Sequence, residues 1–300
     1  MMIKQKKRMG KGFSILMIVI VLPLLVTVIM QNMQIGDLIE GIGQADTMGN
    51  EDIPDEVLIG IVAKEIDPQL DEETLRAQSV IARTNYLDAE KKNAKKPQGM
   101  SLEEMQEAFG NDFNVIYEKI KKCVSSTENQ VLVWEGDYIY AAYHAVSCGS
   151  TRNIEELYKD IHMPYLVCRE CHDDTAAEGY LAVCYWKKDE FLQRVKDAFP
   201  GVEISDAGQI QVVARDKAEY VLEVQIGESS CDGEEFRSAL GLNSSCFTIT
   251  DTGENIRIVT RGIGHGFGLS QHTAQMLAEE GKDYREILAY FFPGTELREH

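Results

Sequence analysis

The chain has 300 residues, and its 49 acidic residues outnumber its 30 basic ones, so that the net charge at pH 7 is -19. A surface this acidic argues against nucleic acids and anionic lipids as partners. The chain beyond residue 52 is long enough for one large domain or two small ones. Neither an internal repeat nor a low-complexity tract is visible in it.

The amino-terminal segment predicts a membrane anchor. Residues 1–12 are basic, and residues 13–33 are uncharged and rich in Leu, Ile, Val and Met. Such a run approaches the about 20 residues of a spanning helix, and its basic flank should stay in the cytoplasm. The predicted organisation is a cytoplasmic tail at 1–12, a transmembrane helix at 13–33, a polar linker at 34–52 and one domain at 53–298. A cleaved signal peptide is the alternative, although no small-residue cleavage site follows the apolar run.

The domain begins with two predicted helices. Across residues 55–66, apolar side chains recur at three- and four-residue spacing, which is typical of one buried helix face. Pro68 ends this helix. Asp71 is placed to cap a second helix, which continues to about residue 87 and has two acidic residues in its first turn.

Strands are predicted in the middle of the chain and helices again at its end. A hairpin signal at 135–137 joins strands at 130–133 and 138–143. The remaining predicted elements, after an irregular stretch at 144–180, are helices at 191–198, 233–240, 271–280 and 284–292 and strands at 210–213, 220–227, 246–250 and 256–260. Ser270 and Asp283 are placed to cap the last two helices. The pattern predicts an α+β fold, a single catalytic domain with helices at both ends and antiparallel strands between, on the N-terminal transmembrane helix.

Glu65 is the first candidate for chemistry. It lies seven residues after Leu58 and three after Val62, so its carboxyl falls on the apolar face of the first helix. A carboxylic acid in apolar surroundings has a raised pKa and can act as a general acid on a glycosidic bond. The alternative is a helix-end carboxylate that reaches solvent or pairs with Lys64 or Arg83.

A second candidate is a group of Cys and His side chains in the irregular stretch. Cys168 and Cys171 have zinc-knuckle spacing, and His144 and Cys148 follow a predicted strand, so these four could bind a structural zinc ion, with His172 as an alternate ligand. Disulfides, for example between Cys148 and one of the pair, are the alternative. The seven cysteines are an odd number for a framework of disulfides alone.

The third candidate is His265, which lies within glycines at 262, 264, 266 and 268. This spacing differs from the dinucleotide-binding pattern, and no βαβ unit surrounds it. Glycines at alternate positions suit a backbone that turns tightly or approaches a ligand. The loop is therefore either a wall of a sugar-binding site or a structural turn.

Taken together, these segments resemble stage II sporulation protein D, a family of peptidoglycan lytic transglycosylases whose domain is shared with an amidase-enhancer protein. The resemblance covers about residues 53–297 and rests on several ordered motifs. Those motifs are the helix ending in Glu65, the Ala-Gln…Ala-Arg-Thr run at 77–84, Tyr-His…Ser at 143–147, Phe-Arg…Gly-Leu-x-Ser at 236–244, Gly-x-Gly-His-Gly-x-Gly-x-Ser-Gln at 262–271 and Tyr-x-x-Ile-Leu…Pro-Gly-Thr-x-Leu at 284–297. The chain departs from the family pattern where Ile66 replaces Met and where Cys148 replaces the first Gly of a Gly-Gly pair.

The resemblance implies that Glu65 is the catalytic acid of a lytic transglycosylase. Its substrate would be glycan strands stripped of stem peptides, cleaved to 1,6-anhydro-N-acetylmuramic acid ends during sporulation engulfment. The partners implied are the amidase stage II protein P and the membrane protein stage II protein M, and the location implied is the engulfing mother-cell membrane. Candidates for sugar contacts and for stabilising charge are Arg83, His144, Ser147, His265, Ser270 and Gln271.

Three other functions fit parts of the pattern. A zinc-dependent amide hydrolase would use His144 and its neighbours with an open metal position. A nucleophile pair would use Cys148 with His265. A non-catalytic protein would bind cell wall and activate a partner amidase, as the amidase-enhancer relatives suggest. In the transglycosylase interpretation, a zinc ion bound by four protein ligands would be structural only.

Overall fold

The computed structural model describes residues 53–300, and four helices form its first part. The helices are α1 (Asp55–Glu65), α2 (Glu72–Lys91), α3 (Leu102–Phe109) and α4 (Phe113–Ser126). Asp71 caps α2 by accepting a hydrogen bond from the Glu73 N–H at 2.8 Å, as predicted. The buried face of α1 packs against Ile120 and Val124 of α4 in one apolar cluster. Helices α3 and α4 had not been predicted.

A small antiparallel sheet follows the helices. Strand β1 (Gln130–Trp134) turns through Glu135 and Gly136, both at positive φ, into β2 (Asp137–Tyr138). This confirms the predicted hairpin turn, although its second strand ends at Tyr138 and not at Tyr143. On its other side, β1 pairs with the last described strand, β11 (Glu296–Glu299), so the carboxyl-terminal end of the described region returns to the strand that follows the first four helices.

A parallel pair of short strands brings the middle and the end of the chain together. Strand β3 (Tyr143–His144) pairs with β10 (Leu269–Ser270), so that Tyr143 lies opposite Leu269 and His144 opposite Ser270. Helix α2 supports this pair from one side, because Asn85 exchanges two hydrogen bonds with the Ala141 backbone at 2.9 and 3.0 Å.

Two three-stranded antiparallel sheets and two helices form the remaining part. The strands are β4 (Leu181–Lys187), β5 (Ile210–Arg215), β6 (Val221–Ile226), β7 (Ser229–Asp232), β8 (Phe247–Asp251) and β9 (Asn255–Arg261), in the orders β4-β9-β8 and β5-β6-β7. Helices α6 (Lys188–Ala198) and α7 (Gly233–Leu240) pack against these strands. A short helix, α5 (Ile154–Leu157), precedes both in the chain. Phe191, Phe236 and Phe247 lie in the shared apolar core.

The carboxyl-terminal helices return to the first part of the fold. Helix α8 (Gln271–Glu279) is capped by Ser270, and α9 (Tyr284–Phe291) is capped by Asp283 through a reciprocal capping box. Both helices pack against α2. The α+β class and the helices at both ends are therefore confirmed, as are α6 and α7, the two helices predicted among the strands.

The predicted transmembrane helix needs correction. No helix between residues 53 and 300 is both long and apolar enough to cross a bilayer, and the 20-residue α2 carries charged side chains along its length. This finding counts against the anchor in the predicted fold class and against the predicted single-pass membrane location. Residues 13–33, on which that prediction fell, lie outside the described residues, as do the predicted tail and linker.

Candidate active site around Glu65

Glu65 is the last residue of α1, where the helix ends because Ile66 adopts an extended conformation. Its Oε2 accepts a hydrogen bond from Gln78 Nε2 on α2 at 2.9 Å, and its carboxyl also bonds the Tyr143 hydroxyl. Burial raises the pKa of Glu65 from 4.5 to about 7, while the Gln78 and Tyr143 hydrogen bonds and the charge of Lys64 lower it only in part. This carboxyl can therefore hold or release a proton near neutral pH.

Gln271 connects the glycine loop to the Glu65 backbone and to Gln78. Its Nε2 donates to the Glu65 backbone carbonyl at 2.9 Å and to Gln78 Oε1 at 3.3 Å. The amide of Gln78 thus accepts from Gln271 and donates to Glu65, which fixes the orientation of both amides. The structure brings the predicted residues Glu65 and Gln271 into contact although they are 206 positions apart in the chain.

Gln78 and Tyr143 are site residues that the sequence analysis did not assign. Gln78 is fully buried on the inner face of α2, three residues after the buried Leu75. A polar side chain on an otherwise apolar helix face was the signal available for it. Tyr143 stood next to the assigned His144, but only the pairing of β3 with β10 places its hydroxyl on Glu65.

The glycine loop lies against the segments that carry the site. Gly268 has a φ of +68°, and a Cβ at this position would lie 2.0 Å from the Ala142 carbonyl oxygen. Gly264 has a φ of +112°, and its Cβ would lie 2.7 Å from the His144 Cβ. Both a left-handed backbone and close approach are thus required at these positions, which explains the glycines physically.

The two histidines lie side by side with their rings 5.8 Å apart. His144 Nδ1 is 3.0 Å from the Phe267 carbonyl oxygen, and His265 Nδ1 accepts from the Phe267 N–H at 3.0 Å. Burial lowers the pKa of His144 and lowers that of His265 well below its usual value. Both rings are therefore neutral at pH 7, and each has one nitrogen committed to the backbone of the glycine loop.

The structure does not place Arg83 in the group around Glu65. Its guanidinium is buried and donates to the carbonyl oxygens of Thr127 at 2.7 Å, Gln130 at 3.1 Å and Val124 at 3.1 Å. Arg83 thus joins α2 to the end of α4 and the start of β1. It also makes no ion pair with Glu65, so that alternative for the carboxyl is not realised.

Ser147 and Ser270 are buried and face one carboxylate. The Ser147 N–H and the Ser270 hydroxyl both donate to Asp174 Oδ2, at 2.6 and 2.7 Å. Asp174 is a third residue that the sequence analysis did not assign. It lies in the stretch of 144–180 where no regular pattern was visible.

The predicted zinc ligands do not assemble. Cys148 Sγ donates to the Ala218 carbonyl at 2.9 Å and bonds the Cys246 thiol, whereas Cys171 is buried and Cys168 is exposed. Within residues 53–300, no group of three His, Cys, Asp or Glu side chains could hold a metal ion. The described residues therefore do not support the predicted zinc site at His144, Cys148, Cys168 and Cys171, since the His144 ring lies against the Phe267 carbonyl and the Cys148 thiol against the Ala218 carbonyl.

The alternate zinc ligand His172, the disulfides and a nucleophilic Cys148 also lack support in the structure. His172 is exposed and pairs with Glu170 at 3.2 Å. The seven cysteines are all free. The hydrogen bond with Cys246, and then burial, raise the pKa of Cys148 far above its usual value, so this thiol is not activated as a nucleophile.

Comparisons with known proteins agree with the motifs around this site. A family model described as Stage II sporulation protein matches residues 47–134. Stage II sporulation protein D of Bacillus amyloliquefaciens is 30% identical over 265 residues, which cover 83% of this chain and 75% of that protein. The protein of the same name from Bacillus subtilis (strain 168) is 29% identical, with coverages of 83% and 76%. The amidase enhancer of Bacillus subtilis (strain 168) is 24% identical over 290 residues, which cover 80% of this chain and 40% of that protein.

Proposed function

The chain belongs to the stage II sporulation protein D family of sporulation proteins, and from that premise we propose that it is a lytic transglycosylase of peptidoglycan glycan strands. The observation that carries the proposal is the Glu65 carboxyl, whose pKa burial raises to about 7 among neutral hydrogen-bond donors. Such a group can donate a proton and later accept one at the same pH.

In the proposed reaction, protonated Glu65 donates to the glycosidic oxygen that leaves C1 of N-acetylmuramic acid. The C1–O bond breaks and an oxocarbenium-like state forms. The C6 hydroxyl of the same sugar then attacks C1, and the Glu65 carboxylate takes its proton. The product is a 1,6-anhydro end, and the enzyme returns to its protonated form without using water.

One carboxyl is sufficient for this sequence because the nucleophile belongs to the substrate. Ordinary glycosidases need a second carboxylate about 5–10 Å away as nucleophile or base. The side chains hydrogen-bonded to the Glu65 carboxyl are the neutral Gln78 and Tyr143, which suits a mechanism that uses one carboxyl.

Other residues of the site would act on the sugar or on the acid itself. Gln78 and Tyr143 hold the Glu65 carboxyl, so they set the direction in which its proton is offered. The neutral rings of His144 and His265 are suited to hydrogen bonding and not to charge pairing. The substrate would be glycan strands stripped of stem peptides, and stage II sporulation proteins P and M would be partners.

Product analysis tests the proposal. The purified chain is incubated with denuded glycan strands, and the ends are identified by mass spectrometry, since an anhydro end is one water lighter than a hydrolytic end. We expect anhydro ends from the wild type and from Glu56→Gln, a matched control at an exposed position of the same helix, and none from Glu65→Gln. Hydrolytic ends, or full activity in Glu65→Gln, would refute the mechanism.

The similarity to an amidase enhancer favours one other function. In that case the chain would bind the cell wall and stimulate a partner amidase without cleaving glycan. The two functions are distinguished by incubating intact peptidoglycan with a purified cell-wall amidase in the presence of the chain. Stimulation by wild type and Glu65→Gln alike, with no anhydro ends from either, would support the enhancer function instead.

A further inference from the structure

Asp174 is a buried carboxylate whose partners all come from elements of the candidate site. It lies in a short 3-10 helix, His172–Ala176, and has no exposed surface. Its Oδ2 accepts from the Ser147 N–H at 2.6 Å and from the Ser270 hydroxyl at 2.7 Å. Its Oδ1 accepts from the Thr273 hydroxyl at 2.7 Å and lies 3.2 Å from His272 Nδ1.

These contacts satisfy the carboxylate without an arginine or lysine. A buried carboxylate is costly unless several donors surround it. Three of the partners belong to the first turn of α8 or its cap, where the helix dipole also favours negative charge. The fourth is the backbone N–H of Ser147, three residues beyond β3. Asp174 therefore joins the start of α8 to the segment after β3.

The two elements that Asp174 joins carry contacts of Glu65. Gln271, the first residue of α8, donates to the Glu65 carbonyl and to Gln78. Tyr143, the first residue of β3, bonds the Glu65 carboxyl. A shift of α8 relative to β3 would change both contacts together.

We propose that Asp174 is a positioning residue for Glu65, acting by holding α8 and the segment after β3 in the arrangement that places Gln271 on the Glu65 backbone carbonyl and Tyr143 on its carboxyl. The inference rests on the proposed function, because it assigns Asp174 to the catalytic step of that reaction. Asp174 itself touches neither Glu65 nor, in this assignment, the sugar.

Replacement of Asp174 should affect Glu65 in a recognisable way. Asp174→Asn keeps the shape but removes the charge and turns one acceptor into a donor, so the four partners are no longer all satisfied. With α8 and β3 less firmly joined, the bonds that lower the pKa of Glu65 weaken and its titration moves to higher pH. Because misplacement of a catalytic group slows the chemical step, kcat should fall roughly tenfold to hundredfold with KM little changed.

The experiment measures the acid directly as well as the reaction. The full chain is labelled with 13C at the glutamate carboxyl carbons, the Glu65 resonance is assigned by its loss in Glu65→Gln, and its titration midpoint is followed by NMR. Thr273→Val, which removes one donor and keeps the side-chain shape, is the milder variant in case Asp174→Asn does not fold. Asp88→Asn is the matched control, since Asp88 is buried on α2 and pairs with Lys92, away from the site.

We expect the Glu65 midpoint to rise in Asp174→Asn, to rise less in Thr273→Val and to stay unchanged in Asp88→Asn, with kcat following the same order. A wild-type midpoint and kcat in both site variants, together with a lower melting temperature, would show that Asp174 is structural only and would overturn the proposal. The titration does not depend on cleavage, so a chain without transglycosylase activity would refute the proposed function while the NMR result still decides whether Asp174 positions Glu65.

Discussion

Two acidic regions of this molecule differ in what surrounds the carboxylates. Glu65 is held by the amide of Gln78 and the hydroxyl of Tyr143, which carry no charge. Asp216 and Glu234 instead bind the buried Arg152, at 2.6 and 2.7 Å.

Burial acts on both regions, but the partners decide the outcome. Burial raises the pKa of Asp216 above its usual value, and the Arg152 guanidinium offsets part of that rise. Glu65 has no such cation, and its pKa remains at about 7. A buried carboxylate with a fixed cation stabilises structure, whereas one with neutral donors can exchange a proton at physiological pH.

The cluster of Arg152, Asp216 and Glu234 also contacts the glycine loop. Arg152 donates to the His265 carbonyl at 3.3 Å, and its guanidinium lies 4.6 Å from the centre of the Phe267 ring. Replacement of Arg152 is therefore expected to lower the free energy of unfolding, whereas replacement of Glu65 is expected to lower activity. The following predictions test this division.

The largest expected effect is on activity in Glu65→Gln. Gln keeps the size of the side chain but cannot transfer the proton, so anhydro-end formation should fall about 10²- to 10⁴-fold. The rate is measured by mass spectrometry on denuded glycan strands, with circular dichroism to establish that the fold is intact. A loss smaller than tenfold would place the catalytic acid elsewhere.

Arg152→Met should have the largest effect on stability. It leaves Asp216 buried without its cation and Glu234 with Arg237 as its remaining cation, at a cost of about 3–5 kcal/mol in the free energy of unfolding. Urea denaturation measures this cost. Arg194→Met is the control, since it removes an exposed pair with Glu190 that is worth about 1 kcal/mol or less. Equal effects in the two variants would contradict the assignment.

The pH dependence of stability should differ between wild type and Glu65→Gln. The folded-state pKa of Glu65 is raised, from 4.5 to about 7. Its contribution is therefore fully present below the unfolded value and is lost as pH rises through the folded one, a change on the order of 3 kcal/mol. The wild type should lose stability relative to Glu65→Gln between about pH 5 and about pH 8. Parallel stability curves would show that Glu65 titrates normally.

Gln78→Met should give the smallest effect, on the pH profile. It removes a hydrogen bond that lowers the pKa of Glu65, so the pH above which activity is lost should move upward. The pH dependence of kcat measures the shift, and Gln193→Met, at an exposed position of α6, is the control. A downward shift would mean that Gln78 favours the protonated acid instead.

The sequence predicted the elements whose signals are local. Helices α1 and α2, the caps at Asp71, Ser270 and Asp283, and the first hairpin follow from spacing and from residue types at fixed offsets. Helices α3 and α4 were missed although Ile116, Ile120 and Val124 recur at helical spacing.

Strand β4 was missed for a physical reason. Its exposed positions include Leu181, Val183 and Tyr185, so apolar side chains occur on both faces and the alternation that identifies a strand is absent. Strand β11 was missed because its recognition depends on pairing with β1, more than 150 residues earlier.

The sequence by itself determined that an acid lies on the apolar face of α1, that the glycine loop suits a backbone that turns tightly or is closely approached, and that the chain resembles one family. Each of these depends on residues that are neighbours in the chain. Only the tertiary structure decided that Gln78, Tyr143 and Gln271 surround Glu65, that Arg83 bonds to carbonyls elsewhere, and that the predicted zinc ligands face different partners. These outcomes depend on packing between distant segments, and a side chain's partners are set by that packing and not by its spacing in sequence.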